Sequence, residues 1–265
     1  MPRESTENKT PLDRRHFLSL TASAVAGALL TSRPTCAAAS NPRVEAIAFD
    51  AFPIFDPRPI FALAEELFPG KGVDLSNAWR TRQFEYTWLR TVAGHYADFW
   101  QVTEDALVFA ARSLKLELDS RRRSRLMNAY LDLKAWPEVP EALKALKAAG
   151  LRLAFLSNFT QRMLEAGIKN SGLEGVFEHV LSTDAIKHFK PSPHAYQMAE
   201  RAFGLDRGKI LFAAFAGWDA AGAKWFGFPT VWVNRPNSSA EELSTTPDLV
   251  CDDLSGLVAF ATSRR

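Results

Sequence analysis

From Pro137 onward, short apolar runs alternate with segments of helical periodicity. The runs LRLAFLS, HVLS, ILFAA and TVWVN are typical of strands, and the segments between them carry apolar residues three and four positions apart. Parallel neighbouring strands need a long crossover connection, which is usually a helix. The alternation therefore predicts an α/β fold built on a doubly wound parallel sheet with helices on both faces.

One predicted strand stands apart from this region. VEAIAFD, at residues 44–50, is a short apolar run that ends in Asp50, and the residues from 59 to 135 show no convincing strand. Their apolar positions recur at helical spacing, for example in FALAEELF and SNAWRTRQFEYTWLRTVAG. We therefore predict a helical cap at residues 58–136, inserted into an α/β core that comprises residues 44–57 and 137–262.

The first 39 residues have the pattern of an export signal. Arg14 and Arg15 precede a short apolar run of small residues, and an alanine-rich segment ends at Ala39. This pattern predicts a twin-arginine signal peptide at residues 1–39, cleaved near Ala39, with the export machinery as a partner and the periplasm as the destination. The apolar run is shorter than the roughly 20 residues of a spanning helix, so no stable membrane anchor is expected after cleavage. The alternative is an amphipathic helix that belongs to the fold.

Composition limits the partners of the remaining chain. The sequence is 47% hydrophobic and 23% charged, which is typical of a globular protein. The net charge of +2 falls to about zero without the predicted signal, and no basic surface is indicated, so nucleic acid is not an expected partner. Cys251 is the one cysteine that would remain, which excludes an internal disulfide.

Polar and charged residues follow the predicted core strands. Asp50 ends the first strand, Ser157 and Asn158 end the second, Lys190 lies in the loop after HVLS, and Asp219 follows ILFAA. Ligands bind at the carboxyl ends of strands in such sheets. Each residue alone also fits a plainer role as a helix cap, a turn residue or a solvated charge. Together they predict one site at one edge of the sheet.

These residues and their surroundings resemble the haloacid dehalogenase (HAD) superfamily, and within it the type II L-2-haloacid dehalogenases. The resemblance is carried by the core segments LSN, KPSPHAYQMAE and ILFAAFAGWDAAGAKWFGFPTVWVNR and by the cap segments WRTRQFEYTWLR and DFWQVTEDAL. It covers essentially the whole chain after the predicted signal. It implies a HAD-like Rossmannoid core with a helical cap. It also implies a hydrolase that converts a small-molecule substrate, a short-chain (S)-2-haloacid, to the (R)-2-hydroxyacid.

The resemblance implies a role for each matching residue. Asp50 matches the nucleophile that displaces halide and forms an aspartyl ester. Lys190 matches the lysine that pairs with it, and Asp219 matches the acid that orients or activates the hydrolytic water. The positions that match substrate-binding residues are Arg80 and Asn158 at the halide, Ser157 at the carboxylate, Tyr196 beside the lysine, and the pocket aromatics Phe52, Phe99 and Trp218. No step of this chemistry requires a cofactor, so neither a cofactor nor a metal site is expected.

Phe52 argues against phosphoryl transfer. Phosphatases of the same superfamily carry an acid two positions after the nucleophile and use Mg²⁺ bound by oxygen ligands. A phenylalanine can neither transfer a proton nor bind a metal ion. Phe52 instead matches the aromatic residue that the dehalogenases carry at this position.

The chain departs from the family pattern near the nucleophile. The loop DAFPIFD is one residue shorter than the pattern and has Pro53 and Ile54 where glycine and threonine are expected. Ala214 and Ala216 stand where the family has a serine and an asparagine. Two alternatives therefore stay open: a related hydrolase with another substrate, including a phosphatase-like enzyme, and a catalytically weak homologue that binds a small carboxylate.

The resemblance also bears on assembly. Members of the family commonly dimerise through cap helices, so a homodimer is one expectation. The aromatic segment FEYTWLR could supply the apolar surface for it, or could belong to the core of the protomer.

Overall fold

A six-stranded parallel sheet forms the centre of the molecule. The structure, a computed structural model, describes residues 43–265. The strand order across the sheet is β3-β2-β1-β4-β5-β6, so the chain runs outward from β1 in both directions. The end of β1 therefore lies at the point where the strand order reverses, which is where ligands bind in open α/β sheets. The strands are β1 (Ala46–Phe49), β2 (Arg152–Ser157), β3 (His179–Ser182), β4 (Ile210–Ala214), β5 (Thr230–Val233) and β6 (Leu249–Cys251).

Helices cover the sheet and form a block between β1 and β2. The predicted fold class, α/β with a doubly wound parallel sheet, is confirmed by this arrangement. The helices of the block are α1 (Arg58–Leu67), α2 (Gly72–Ala93), α3 (Phe99–Ser113) and α4 (Ser120–Asn128). The other helices are α5 (Val139–Ala148), α6 (Gln161–Asn170), α7 (Pro193–Phe203), α8 (Gly217–Phe226) and α9 (Leu254–Ser263).

The central strand β1 is buried on both faces. Ile47 and Phe49 belong to a core that continues through α5, α6 and α9 and into the cap helices. Ala46 and Ala48 belong to a second core, formed with α7 and α8. This double burial explains why β1 appears in the sequence as a continuous apolar run without polar alternation.

Side-chain caps and a glycine delimit the helices. Asp98 accepts a hydrogen bond from the backbone N–H of Gln101 at the start of α3, and Asp119 does the same for Arg122 at the start of α4. Helix α2 ends at Gly94, whose φ of 68° is the left-handed conformation that glycine adopts without strain. These signals fix the ends of cap helices that carry Arg80 and Phe99 toward the sheet.

The last two elements were not predicted from the sequence. The edge strand β6 has only three residues, and Val250 at its centre is half exposed. Its strand conformation comes from pairing with β5, which no local pattern reveals. Helix α9 follows it and packs against α5 by way of the buried residues Leu254 and Leu257.

The predicted signal peptide at residues 1–39, including Arg14, Arg15 and the cleavage site near Ala39, lies outside the described residues. Within residues 43–265, none of the helices combines the length and apolar character required to cross a bilayer.

Candidate active site

A buried lysine lies between two carboxylates at the carboxyl end of β1. Lys190 Nζ is 2.8 Å from Asp50 Oδ1 and 2.6 Å from Asp219 Oδ2. The side chains of Lys190 and Asp219 are essentially inaccessible, whereas that of Asp50 keeps 15% of its surface exposed. Asp50 is therefore the carboxylate of this trio that a small molecule reaches most readily.

Burial and charge oppose each other in this trio. Burial by itself lowers the pKa of Lys190, but the adjacent carboxylates of Asp219 and Asp50 outweigh it and raise that pKa above its ordinary value. Burial raises the pKa of Asp219 to about 6, although the charge of Lys190 acts in the opposite direction. The ammonium group thus stays charged, and Asp219 changes its protonation state slightly below neutral pH, a useful range for a general base.

Tyr196 supports Asp219 from the protein interior. Its hydroxyl donates a hydrogen bond of 2.7 Å to Asp219 Oδ1. Burial, together with the charge of Asp219, raises the pKa of Tyr196, so the phenol stays protonated and remains a donor. Gly222 lets helix α8 approach helix α7, which carries Tyr196, because a Cβ at position 222 would lie 2.5 Å from the Tyr196 hydroxyl oxygen.

Tyr196 was predicted to bind the substrate, but its side chain does not line the cavity. The side chain is completely buried and is not among the residues that line the cavity at Asp50. Because its hydroxyl group is engaged by Asp219, the tyrosine contacts the acid and not the cavity.

A cavity of about 30 Å³ lies in front of Asp50. Roughly 10–15 Å³ of such space holds one water molecule, so the cavity suits a very small ligand. Its polar residues are Asp50, Arg80, Ser157, Asn158 and Asp219. Its aromatic residues are Phe52, Phe84, Phe99, Phe159, Phe215 and Trp218.

Two weak hydrogen bonds reach the carboxylate of Asp50 besides its ion pair. The Ser157 hydroxyl lies 3.4 Å from Oδ1, and the backbone N–H of Phe52 lies 3.3 Å from Oδ2. Both are long for hydrogen bonds of their type. Oδ2 is therefore only lightly engaged, as a nucleophilic oxygen must be.

The amide of Asn158 is oriented by its own oxygen. Oδ1 accepts a hydrogen bond of 2.9 Å from the backbone N–H of Lys190 and a longer one from the Thr183 hydroxyl. Within the described part of the chain, the NH₂ group of Asn158 donates no hydrogen bond to the protein. Since Asn158 lines the cavity, this group is available to a ligand.

Arg80 brings a second positive charge to the cavity. It projects from α2, packs over the ring of Phe61 with its guanidinium carbon 5.4 Å from the ring centre, and makes no ion pair within residues 43–265. Burial lowers the pKa of Arg80, but an arginine side chain keeps its proton in proteins. A partly buried cation without a protein acceptor favours the binding of an anion.

The loop after Asp50 is held in place through its backbone. The indole N–H of Trp136 donates to the carbonyl of Phe52 at 3.0 Å, and the backbone N–H of Trp136 donates to that of Ile54. Arg235 donates to the carbonyl of Pro53 at 2.9 Å. Three consecutive carbonyl groups of the shortened loop therefore have partners.

The two residues that hold the loop also hold each other. The guanidinium carbon of Arg235 lies 4.3 Å from the centre of the Trp136 ring, and Arg235 forms an ion pair with Glu138. The geometry of Phe52, and with it the N–H group that reaches Asp50, thus depends on contacts with residues far along the chain. We refer to Trp136, Glu138 and Arg235 as the loop brace.

The structure brings nearly all the predicted site residues to one place. Asp50, Phe52, Arg80, Phe99, Ser157, Asn158, Trp218 and Asp219 line the cavity, with Lys190 directly behind Asp50. Their roles in chemistry stay predictions.

Sequence reasoning missed the loop brace and the wall residues Phe84, Phe159 and Phe215. For Phe159 and Phe215 a signal existed, because Phe159 lies two positions after the end of β2 and Phe215 lies directly after the end of β4. The brace had none, because Arg235 and Pro53 are 182 positions apart.

Within the described part of the chain, no three His, Cys, Asp or Glu side chains cluster so as to hold a metal ion. The positive charges next to the cavity are those of Arg80 and Lys190.

Known proteins share this fold and much of this sequence. The model of the haloacid dehalogenase-like hydrolases matches residues 26–227, well over half of the chain. The chain belongs to this hydrolase family. The (S)-2-haloacid dehalogenase of Pseudomonas sp. (strain YL) is 45% identical to this hydrolase over 216 residues, which cover 81% of this chain and 93% of that protein.

Two solved structures of the family also resemble this hydrolase closely. The L-2-haloacid dehalogenase RSc1362 has 44% sequence identity and a TM-score of 0.81, covering 83% of this chain and 99% of that one. The L-2-haloacid dehalogenase of Xanthobacter autotrophicus with chloropropionic acid covalently bound has 32% identity and a TM-score of 0.76, covering 84% and 100%. The predicted family is therefore confirmed.

The loop brace predicts the effect of Trp136→Phe. This change keeps an aromatic ring for Arg235 but removes the indole donor, which leaves the Phe52 carbonyl without its partner. We expect the free energy of unfolding, measured by urea titration, to fall by about 1 kcal/mol.

Trp100→Phe is the matched control, because the indole N–H of Trp100 makes no hydrogen bond within residues 43–265 although the side chain is also half-buried. Equal losses for the two variants would show that the hydrogen bond to Phe52 does not stabilise the loop.

Proposed function

We propose that this protein hydrolyses the carbon–halogen bond of short-chain (S)-2-haloacids to give (R)-2-hydroxyacids, through an ester on Asp50. The observation that carries the proposal is the Asp50 carboxylate, 2.8 Å from buried Lys190, facing a small aromatic cavity. This cavity is also lined by Arg80, which has no ion-pair partner among residues 43–265. The similar proteins named above support it, because they are haloacid dehalogenases and one holds chloropropionic acid covalently.

In the first step, Asp50 attacks C2 of the substrate. A carboxylate is a weak nucleophile in water, but here aromatic rings exclude water from the group and Lys190 holds it in position. The new bond joins a carboxylate oxygen to C2 as the carbon–halogen bond breaks, and the halide departs with the bonding electrons. Because the carboxylate attacks opposite the halogen, the configuration at C2 is inverted. Oδ2 is the oxygen suited to attack, since Oδ1 is paired with Lys190.

The leaving halide and the substrate carboxylate need positive or donor groups. Arg80 and the NH₂ group of Asn158 line the cavity and have no acceptor in the part of the chain that the structure describes. Both can therefore stabilise the negative charge that develops on the halide. The Ser157 hydroxyl accepts a hydrogen bond from the backbone N–H of Phe159 and donates only a long one, of 3.4 Å, to Asp50 Oδ1. Its proton can therefore turn to the substrate carboxylate.

In the second step, water attacks the carbonyl carbon of the Asp50 ester. Asp219 takes a proton from this water, and the bond between the Asp50 carbonyl carbon and the ester oxygen then breaks. The ester oxygen leaves with C2 and receives the proton from Asp219, which gives the hydroxyacid. Asp50 releases the second water proton and returns as a carboxylate that contains one oxygen from water. Lys190 stabilises the negative charge that forms on the carbonyl oxygen. The pKa of about 6 leaves Asp219 ionised at neutral pH, as this role requires.

A phosphatase-like alternative has less support. Phe52, two positions after the nucleophile, packs its ring against Phe159 and Phe215 at centroid distances of 5.3 and 5.4 Å. This position therefore contributes to an apolar wall and offers neither an acid for proton transfer nor an oxygen ligand for Mg²⁺.

Export and assembly are further parts of the proposal. The arginine pair and the alanine-rich segment at Ala39 support twin-arginine export to the periplasm.

Leu89 and Val92 on α2 and Phe109 on α3 are exposed apolar residues of the cap, which supports a homodimer through this region. Sedimentation velocity of the purified protein would distinguish the dimer from a monomer.

The proposed reaction is tested by halide release. Purified protein should release chloride from (S)-2-chloropropionate with EDTA present, and Asp50→Asn should reduce the rate below detection, because an amide is not a nucleophile here. Intact-peptide mass spectrometry of the stopped reaction should find the substrate fragment on the peptide that contains Asp50.

Folded protein that releases halide from no short 2-haloacid would contradict the proposal. Stabilisation by a small carboxylate without turnover would favour the weak carboxylate-binding homologue, and metal-dependent phosphate release would favour the phosphatase.

The pH dependence should report on Asp219. The ionised acid is the active form, so kcat should fall as the pH drops below about 6. The Tyr196 hydroxyl lowers the pKa of Asp219, so Tyr196→Phe should raise that pKa and move the acidic limb of the kcat profile to higher pH.

Tyr86→Phe serves as the control, since Tyr86 packs on Phe109 in the cap and does not line the cavity. An acidic limb that stays in place or moves to lower pH in Tyr196→Phe would exclude Asp219 as the group that titrates.

The export proposal predicts that wild-type protein is recovered from the periplasm with its N-terminus near Ser40. Replacing both Arg14 and Arg15 by lysine should retain the full-length chain in the cytoplasm, whereas Arg33→Lys should not. Full-length wild-type protein found only in the cytoplasm would refute the signal.

A further inference from the structure

Phe215 occupies the rim of the cavity directly after β4. Its side chain is 8% exposed. Its backbone carbonyl accepts a hydrogen bond of 2.9 Å from the indole N–H of Trp232, which fixes the backbone on the neighbouring strand. Its ring packs against that of Phe52 at a centroid distance of 5.4 Å, and Phe52 in turn packs edge-on against Phe159. The three rings form a continuous aromatic wall.

Two rings of this wall, those of Phe52 and Phe215, lie between two voids. One is the cavity of about 30 Å³ in front of Asp50. The other, of about 10 Å³, lies under the cap helices and is enclosed by Pro57, Ile60, Phe61, Gln83 and Tyr130; we call it the cap void. Four residues line both: Phe52, Arg80, Phe84 and Phe215. These four side chains therefore lie between Asp50 and the cap void, and Phe52 and Phe215 are the two that follow core strands.

We propose that Phe215 limits the size of the substrate and makes the site selective for two-carbon haloacids, the haloacetates. This inference rests on the proposed function and assigns its substrate class. Asp50, Ser157 and Asp219 occupy the side of the cavity toward the sheet. A longer alkyl group on C2 would therefore have to extend toward the cap void. To enter it, the alkyl group must displace the packed rings.

The rings resist displacement for reasons visible in the structure. Phe52 is held through its carbonyl by Trp136, and Phe215 is held through its own by Trp232. Close-packed interiors accommodate an added methylene poorly, because side chains must leave their preferred rotamers. Each methylene added to the substrate should therefore lower kcat/KM, whereas one in an accommodating apolar pocket would raise it.

Phe215 is a better test position than Phe52. The backbone N–H of Phe52 donates to the Asp50 carboxylate, so changes at Phe52 would alter the nucleophile as well as the wall. Phe215 makes no hydrogen bond to the Asp50–Lys190–Asp219 trio. A smaller side chain at position 215 should open the aromatic wall and leave the contacts within the trio in place.

The experiment compares kcat/KM for chloroacetate, (S)-2-chloropropionate and (S)-2-chlorobutyrate. We expect wild-type protein to lose about tenfold per added methylene, the usual lower limit for one methylene in a restrictive pocket. In Phe215→Ala the ratio of chlorobutyrate to chloroacetate should rise at least tenfold, and in Phe215→Leu it should rise by a smaller factor. Phe215→Leu keeps more of the packing and serves if Phe215→Ala does not fold.

Phe203→Leu is the matched control. Phe203 is a similarly buried phenylalanine in the core formed with α7 and α8, and it lines neither void. Its substitution should leave the chain-length ratio unchanged. An unchanged ratio in both Phe215 variants, with wild-type protein active on any of the three acids, would overturn the inference and leave the proposed function intact.

A binding measurement distinguishes failure of the size limit from failure of the proposed reaction. Acetate, propionate and butyrate cannot react, and the thermal stabilisation that each produces reports the size limit without turnover. Wild-type protein should be stabilised most by acetate, and Phe215→Leu should reduce that preference. Preference for butyrate in wild-type protein would refute the size limit, and absence of any halide release would refute only the proposed reaction.

Discussion

The ion pairs of Lys190 with Asp50 and Asp219 are the interaction on which the rest of the site depends. A buried ammonium group is tolerated only with charged partners and hydrogen bonds, and removing one partner of a buried pair costs several kcal/mol, roughly 3–5 in measured cases. The three residues come from the end of β1, the loop after β3 and the start of α8. The sheet must therefore place these segments within a few ångströms of one another, and the strand order does so.

The same trio determines what the cavity can accept. Two carboxylates around one ammonium group leave a net negative charge, which by itself would repel an anionic substrate. Arg80, supplied by the cap helix α2, restores neutrality when both acids are ionised and has no protein acceptor among residues 43–265. The positive charge that favours an acid substrate therefore lies on the cap and not on the core. The aromatic wall strengthens each of these interactions by keeping water away.

The departures from the family pattern also find a physical explanation in the fold. Pro53 and Ile54 offer no side-chain donor beside Asp50. Ala214, at the end of β4, and Ala216, just after it, offer none either. The structure fixes the shortened loop through its backbone carbonyls, with Trp136 and Arg235 as donors, and the N–H of Phe52 reaches Asp50. Positioning that the family pattern assigns to nearby side chains is here supplied by the loop brace and the backbone.

The sequence by itself determined the class of the fold and the place of most candidate site residues. Apolar runs and helical periodicity are local properties, and residues at strand ends must share one edge of a parallel sheet, so Asp50, Ser157, Asn158 and Asp219 were predictable. Tertiary structure alone decided the pairing of β6, the place of Tyr196 behind Asp219, the loop brace and the closing of the cavity by Phe215. The reason is that each of these features depends on contacts between residues distant in the chain, such as Pro53 with Arg235. A local sequence pattern does not specify which distant side chain will make the contact.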